Sequence, residues 1–280
     1  MSEADVVAAV LLAGATLYAV FGGADFGAGL WVLLPGRSEH RELVRTRIEH
    51  SVAPVWEANH VWLIFILVTM WTGFPEAFSA VMTTLYIPLA VAALGIVLRG
   101  SGFAFGKVIS GRLRRQSSLV FEVSSILTPF FMGTVVGAIA AGEVPAQGDG
   151  DPITSWTGTL PIVTGVLFVV SGAFIASVFL VHDARAAGEG EVESHFRGRA
   201  LIAGAVGGVT ALAGLIALHA DAKFVYDGLV GPGLPLVIAS GLCGIGTLVL
   251  LLRGALRGLR PLAVGAVVCV IWGWGVAQHP

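Results

Sequence analysis

Charge is what this sequence has least of. Only 12% of its 280 residues are Asp, Glu, Lys or Arg, about half the share found in soluble domains. The 16 bases and 18 acids leave a net charge of -2, and the bases sit in short clusters between apolar stretches. That excludes a nucleic-acid binder, which needs a basic face to meet phosphates. Cysteine is almost missing as well. Cys243 and Cys269, both inside apolar runs, offer neither a disulfide framework nor a thiolate metal site. Strand-like alternation is lacking, so no Walker or dinucleotide fingerprint has a strand to follow. A cleaved signal peptide is not expected: Met1–Asp5 holds two acids and no base, and the apolar run behind it is too long.

What is present in excess is hydrophobicity. Apolar residues make up 56% of the chain and mean hydropathy is +0.87. Stretches of about 20 apolar residues recur along the whole length, the signature of a polytopic membrane protein. The fold class predicted is all-α, a single integral membrane domain over residues 1–280 with about eight transmembrane helices in a bundle. The spans fall near Val6–Leu34, Pro54–Thr72, Ala77–Leu98, Ser118–Ala141, Trp156–Val181, Ala200–Leu218, Pro232–Leu252 and Pro261–Val276. Only Gly73, Phe74, Pro75 and Glu76 divide the second from the third, and a hairpin at membrane depth is the alternative there.

The bases orient these spans. Of the 16 Lys and Arg residues, 15 lie in four alternate connections, and Lys223 is the exception. The positive-inside rule puts those connections in the cytoplasm and both termini outside. The outer connection Gly142–Ser155 has acids, Gly and Pro but no base, and reads as a short flexible turn. Inner segment Pro35–Ala53 reads as a short amphipathic helix at the interface, and Asp183–Arg199 as a brief cytoplasmic one. The 38 glycines are about twice the usual share. Gly23-x-x-x-Gly27 and the run Gly204, Gly207, Gly208 and Gly214 read as close helix packing, not as a phosphate loop.

Ionisable groups inside apolar spans cost roughly 2.5–3.5 kcal/mol near the centre on insertion scales, and so mark candidate sites. Asp25 lies about two-thirds through the first span, Glu57 and His60 near the start of the second, and Glu122 about one turn into the fourth. The orientation puts all four toward the cytoplasmic side, and Glu57 and His60 share a helix face. Gly22 and Gly29 share the face of Asp25 and clear space around its carboxyl. Such a cluster suits proton transfer, since burial moves carboxyl and imidazole pKa values toward 7. The plainer alternatives are that Glu57 snorkels to the interface and that Glu122 pairs with Arg114 or Arg115. His60 has no second histidine at its depth, so a haem or metal site is not expected. Trp156, Trp272 and Trp274 suit an interfacial belt, while mid-span Trp62 suits packing or a channel lining.

Two stretches say more than composition does. Phe21-Gly22-Gly23-Ala24-Asp25-Phe26-Gly27-Ala28-Gly29 closes the first span, and Pro54-Val55-Trp56-Glu57-Ala58-Asn59-His60-Val61-Trp62-Leu63 opens the second. With Leu98-Arg99-Gly100-Ser101-Gly102-Phe103 and the terminal Trp272–Pro280, they resemble subunit II of the cytochrome bd quinol oxidases along nearly the whole chain. The resemblance implies a non-haem subunit in a bacterial inner membrane. Its partner would be a haem-bearing subunit I, with haems b and d, that oxidises quinol and reduces dioxygen; a small extra subunit can accompany the pair. Subunit II of the family supports the complex, contributes to a cytoplasmic proton-entry route and can hold a structural quinone. Asp25 matches the first-helix Asp of the family, and Glu57 the second-helix acid. Gly22, Gly23, Phe26, Gly27, Trp56, Asn59, Trp62 and Arg99 belong to the matching motifs.

The match is incomplete in four places. Glu57-Ala58 stands where Asp-Gly is usual, and His60 where Gln or Glu is usual. Arg99-Gly100 lacks the expected proline. The chain stops at Pro280, where members usually continue, which reads as a short branch or a truncated sequence. The competing functional readings are a purely structural assembly subunit and a proton-coupled transporter. The transporter would require internal repeats with helices broken near midplane, and no repeat is visible.

Overall fold

The computed structural model describes residues 2–34, 47–48, 56–106 and 111–278, with the side chains of 56–58, 103–106 and 111–115 outside that description. Every regular element among the described residues is helical. Helix α1 (Glu3–Leu17) begins on a capping box: the Ser2 hydroxyl accepts from the Asp5 N–H at 3.2 Å, and the Asp5 carboxylate accepts from the Ser2 N–H at 2.6 Å. It runs through a π-helical turn (Tyr18–Gly22) into α2 (Gly23–Leu33). Next come α3 (Trp56–Gly73), α4 (Pro75–Thr84), α5 (Tyr86–Gly106) and α6 (Gly111–Ala140). The chain then forms the single turn α7 (Thr154–Thr157), α8 (Thr159–Ala186), α9 (Gly190–Asp221), α10 (Lys223–Val230), α11 (Leu234–Arg253) and α12 (Leu259–Ala277).

Helix α8 is the hub, packed against α2, α6 and α9. Glycine brings these helices together. A side chain on Gly27 would run into the backbone of Gly172 on α8, and one on Gly133 would meet the Thr164 carbonyl at 2.7 Å. The Gly23-x-x-x-Gly27 pair thus does the close packing expected of it. The Gly204 run does so only in part: Gly204 abuts Leu248 and Phe174, but no atom lies within 4 Å of a side chain built on Gly208. A core of Trp31, Phe174, Val178, Phe196, Leu251 and Leu259 joins α2, α8, α9, α11 and α12.

The polytopic reading holds. Among the described residues, six helices are long and apolar enough to cross a membrane, or seven if one bent pair counts as a single span. The bent pair is Asn59–Gly73 with Pro75–Thr84, turned by 117°. Phe74 leaves helical geometry there (φ -137°, ψ 61°) because Pro75 lacks an N–H and disfavours a helical residue before it. The span expected at Ala77–Leu98 is not one helix. It breaks at Leu85 (φ -106°, ψ 26°) into α4 and α5, since Pro88 would clash with the Thr84 carbonyl if the helix continued. The apolar part of α5, Tyr86–Gly102, is a shorter helix.

Two connections also depart from expectation. Residues 142–153 are tacked down instead of loose: Gly148 (φ +74°) sits against Ala80 and Thr83 of α4, and Gly150 against Thr84. Asp151 Oδ1 accepts from the Ile153 and Thr154 N–H groups at 2.9 and 2.7 Å, and these bonds, Thr154 first, hold its carboxyl below the usual carboxylate range. In place of a separate cytoplasmic helix at Asp183–Arg199, α8 and α9 extend through the segment and turn at Gly188 (φ +74°). The amphipathic helix expected at Pro35–Ala53 lies outside the described residues apart from 47–48.

Candidate functional site

The π-helical turn places Asp25. One extra residue in that turn shifts the register of everything after it and leaves Phe21 with a carbonyl available to a side chain. Asn59, only 3% exposed on α3, donates to that carbonyl through Nδ2 at 3.2 Å. One turn further along, Asp25 is 1% exposed, and facing it from α5 is Arg99 at 0%. Arg99 Nη2 donates to Asp25 Oδ1 at 2.6 Å and to the Asp25 carbonyl at 2.8 Å. Its Nη1 donates to Ser125 Oγ on α6, and that hydroxyl donates to the Phe121 carbonyl at 2.6 Å.

Aromatic faces complete the enclosure. The guanidinium carbon lies 4.1 Å from the ring centre of Phe121 and 4.9 Å from that of Phe26, where ring quadrupoles favour a cation. Gly29 makes room for the pair, since a side chain there would collide with Ser125 and lie 2.8 Å from Arg99 Nη1. Gly22 instead accommodates the ring of Tyr18, whose hydroxyl donates to Met132 Sδ at 3.9 Å. Two buried atoms of the ion pair, Asp25 Oδ2 and Arg99 Nε, have no hydrogen-bond partner among the described residues.

The expected cluster is therefore gathered in part. Asp25, Phe26 and Arg99 meet, and Asn59 and half-buried His60 follow one turn away on α3. Glu57 and Trp56 fall on the first turn of α3, with side chains outside the described residues, as are those of Arg114 and Arg115. Glu122 is half-buried and accepts from the Ser118 hydroxyl at 2.7 Å. Trp62 packs edge-on against Phe65. Sequence reasoning took Arg99 for a loop base, whereas it lies inside the bundle, and it passed over Ser125. The signal was a lone Arg closing one apolar run at the depth of a lone Asp in another. Among the described residues no three His, Cys, Asp or Glu side chains group so as to hold a metal ion.

Known proteins resemble this chain. The family model for cytochrome bd terminal oxidase subunit II matches residues 4–280. The chain belongs to that family. Its relatives include the cytochrome bd ubiquinol oxidase subunit 2 of Bacillus subtilis, 30% identical over 45% of this chain and 37% of that one. The cytochrome bd-I ubiquinol oxidase subunit 2 of Escherichia coli K12 is 26% identical over 48% of this chain and 34% of that one. The chain thus matches little more than a third of the length of these two curated relatives. A chain in the structure of bd oxidase from Geobacillus thermodenitrificans has the same fold, with a TM-score of 0.80 at 21% identity. That match covers 100% of this chain and 86% of the other.

Proposed function

We propose that this chain is the non-haem subunit of a bd-type quinol:dioxygen oxidoreductase in a bacterial cell membrane. It supports a haem-bearing subunit I and contributes to a cytoplasmic proton-entry route. The quinol and haem chemistry belongs to the partner, and this chain supplies protons and shape. The observation that carries the proton role is the buried Asp25 carboxylate, with one oxygen taken by Arg99 and the other, Oδ2, open to a water or a mobile proton. Glu57, His60 and Glu122 receive protons at the cytoplasmic edge, and Asp25 lies along or beside their path.

The topology that suits this role has eight spans, with the bent pair as the second, α5 as the third and both termini outside. Reporter tags at the two ends, each scored for accessibility in intact cells, test it. An inaccessible tag at either end refutes that topology.

Asp25→Asn is expected to lower turnover of the assembled oxidase while its haem content stays near normal. Unchanged turnover would remove the relay role. The ion pair itself favours a second reading, in which Asp25 and Arg99 only lock α2 to α5 and α6 for assembly. Failure of the Asp25→Asn complex to assemble would favour it.

A further inference from the structure

At one edge of the bundle the ends of α8 and α11 meet the starts of α9 and α12, and this edge is basic. Arg185 Nη1 donates to the Gly254 carbonyl at 2.8 Å. Arg197 donates to the carbonyls of Leu251 and Leu252, and its Nη1 lies 3.3 Å from where a side chain on Gly254 would begin. Between them is a shallow cleft whose apolar wall includes Leu250 and Leu259. Glu193 is its one carboxylate, and Arg185 already takes it. Arg253, which ends α11, and Arg257, on the short turn from α11 to α12, lie beside the cleft, are exposed and ion-pair with no described residue. Glu193 also feels the charge of Arg197, so one carboxylate faces two arginines there, and with Arg253 and Arg257 unpaired among the described residues the cleft carries a local excess of positive charge.

Directly below this charge is an exposed apolar track. Leu252, Val249, Ile245 and Leu242 follow one face of α11 at spacings of three and four residues. From Leu252 to Leu242 they cover about 15 Å at 1.5 Å per residue, about half the hydrocarbon thickness of a bilayer. A soluble phosphate would use the arginines and ignore the track. A neutral lipid would do the reverse.

We infer that this edge binds an anionic glycerophospholipid, with its phosphate on Arg253, Arg257 and Arg197 and an acyl chain along Leu252, Val249, Ile245 and Leu242. Guanidinium groups match phosphate oxygens in bidentate geometry, and basic residues at helix ends recruit anionic headgroups. The site is independent of Asp25 and Arg99, so it stands or falls apart from the proton role.

The test is a native mass spectrometry titration of the full chain, purified with the subunits that accompany it. The probes are dioctanoyl phosphatidylglycerol, dioctanoyl phosphatidylcholine and inorganic phosphate. Phosphatidylglycerol is expected to bind at least tenfold tighter than phosphatidylcholine. Arg253→Gln/Arg257→Gln is expected to abolish that preference while leaving phosphatidylcholine binding unchanged, which also reports an intact fold. Arg112→Gln/Arg114→Gln, in another basic segment, is expected to keep it. Equal binding of the two lipids, or an unchanged preference in the first variant, would overturn the site. So would an equal loss in the control variant, or displacement of phosphatidylglycerol by inorganic phosphate at equal concentration.

Discussion

Arg99, at the crossing of α2, α5 and α6, is wholly buried and meets a carboxylate, a hydroxyl and two aromatic faces. Arg197 and Arg199, on α9 at the bundle edge, stay half-buried and meet the last carbonyls of α11 and α2 instead. The difference follows from the surroundings. At a helix C-terminus the unsatisfied carbonyls hold about half a negative charge, and water supplies the rest. Inside the bundle the guanidinium is cut off from bulk solvent, so it needs a full counter-charge and most of its donors placed. The same residue type is thus a helix cap in one region and a core element in the other.

The largest effect expected from breaking this contrast comes at the core. Arg99→Gln leaves Asp25 buried without its counter-ion and should cost about 3–5 kcal/mol, seen as a lowered denaturant midpoint in detergent. Asp25→Asn should cost less, because the amide oxygen can still accept from Arg99, and the double variant should cost less than the sum of the two. A double-mutant cycle showing additivity would mean the pair does not act as a unit. Next comes Gly29→Ala, whose methyl would enter the space of Ser125 and Arg99. Overpacking of this kind costs about 1–3 kcal/mol, and the same unfolding assay reads it.

At the edge, Arg199→Gln removes the cap on α2 and its contact 4.9 Å from the Trp31 ring. The expected loss is about 1 kcal/mol, with faster amide exchange confined to the last turn of α2. The smallest effect belongs to Asp151, fully exposed and held below the usual carboxylate range by the Thr154 and Ile153 N–H groups. Its contribution is complete above the unfolded value of about 3.9 and fades as pH falls through the lower folded value. Asp151→Asn should therefore flatten the pH dependence of unfolding below about pH 4 and leave it unchanged near neutrality.

Much of this was legible in the residues. The depth of Asp25 in an apolar run marked it as costly, and the structure encloses it. Arg99 was misread because counting bases in connections treats every Arg at the end of an apolar run as a cytoplasmic one. Its burial depends on a helix far away in sequence, which no local pattern reports. The bend at Phe74 was written in Gly73-Phe74-Pro75, whereas the break at Leu85 is signalled only by Pro88, three residues on and inside the next helix. The π-helical turn left no local trace, because its support comes from Asn59 on another helix. Ser125 gave no signal either, as hydroxyls in spans usually bond their own helix, and this one does that as well.

The separation of Asp25 from Arg99 has a consequence for biogenesis. The two partners are 74 residues apart in the chain, which at about 5–20 residues per second is roughly 4–15 s of synthesis. For that interval the first helix exists without its counter-ion. Burying the Asp25 carboxylate alone over that interval would cost roughly 2.5–3.5 kcal/mol near the span centre. Arrival of α5 brings the guanidinium that offsets this cost, so the stability of the first helix in its final place depends on a helix made much later.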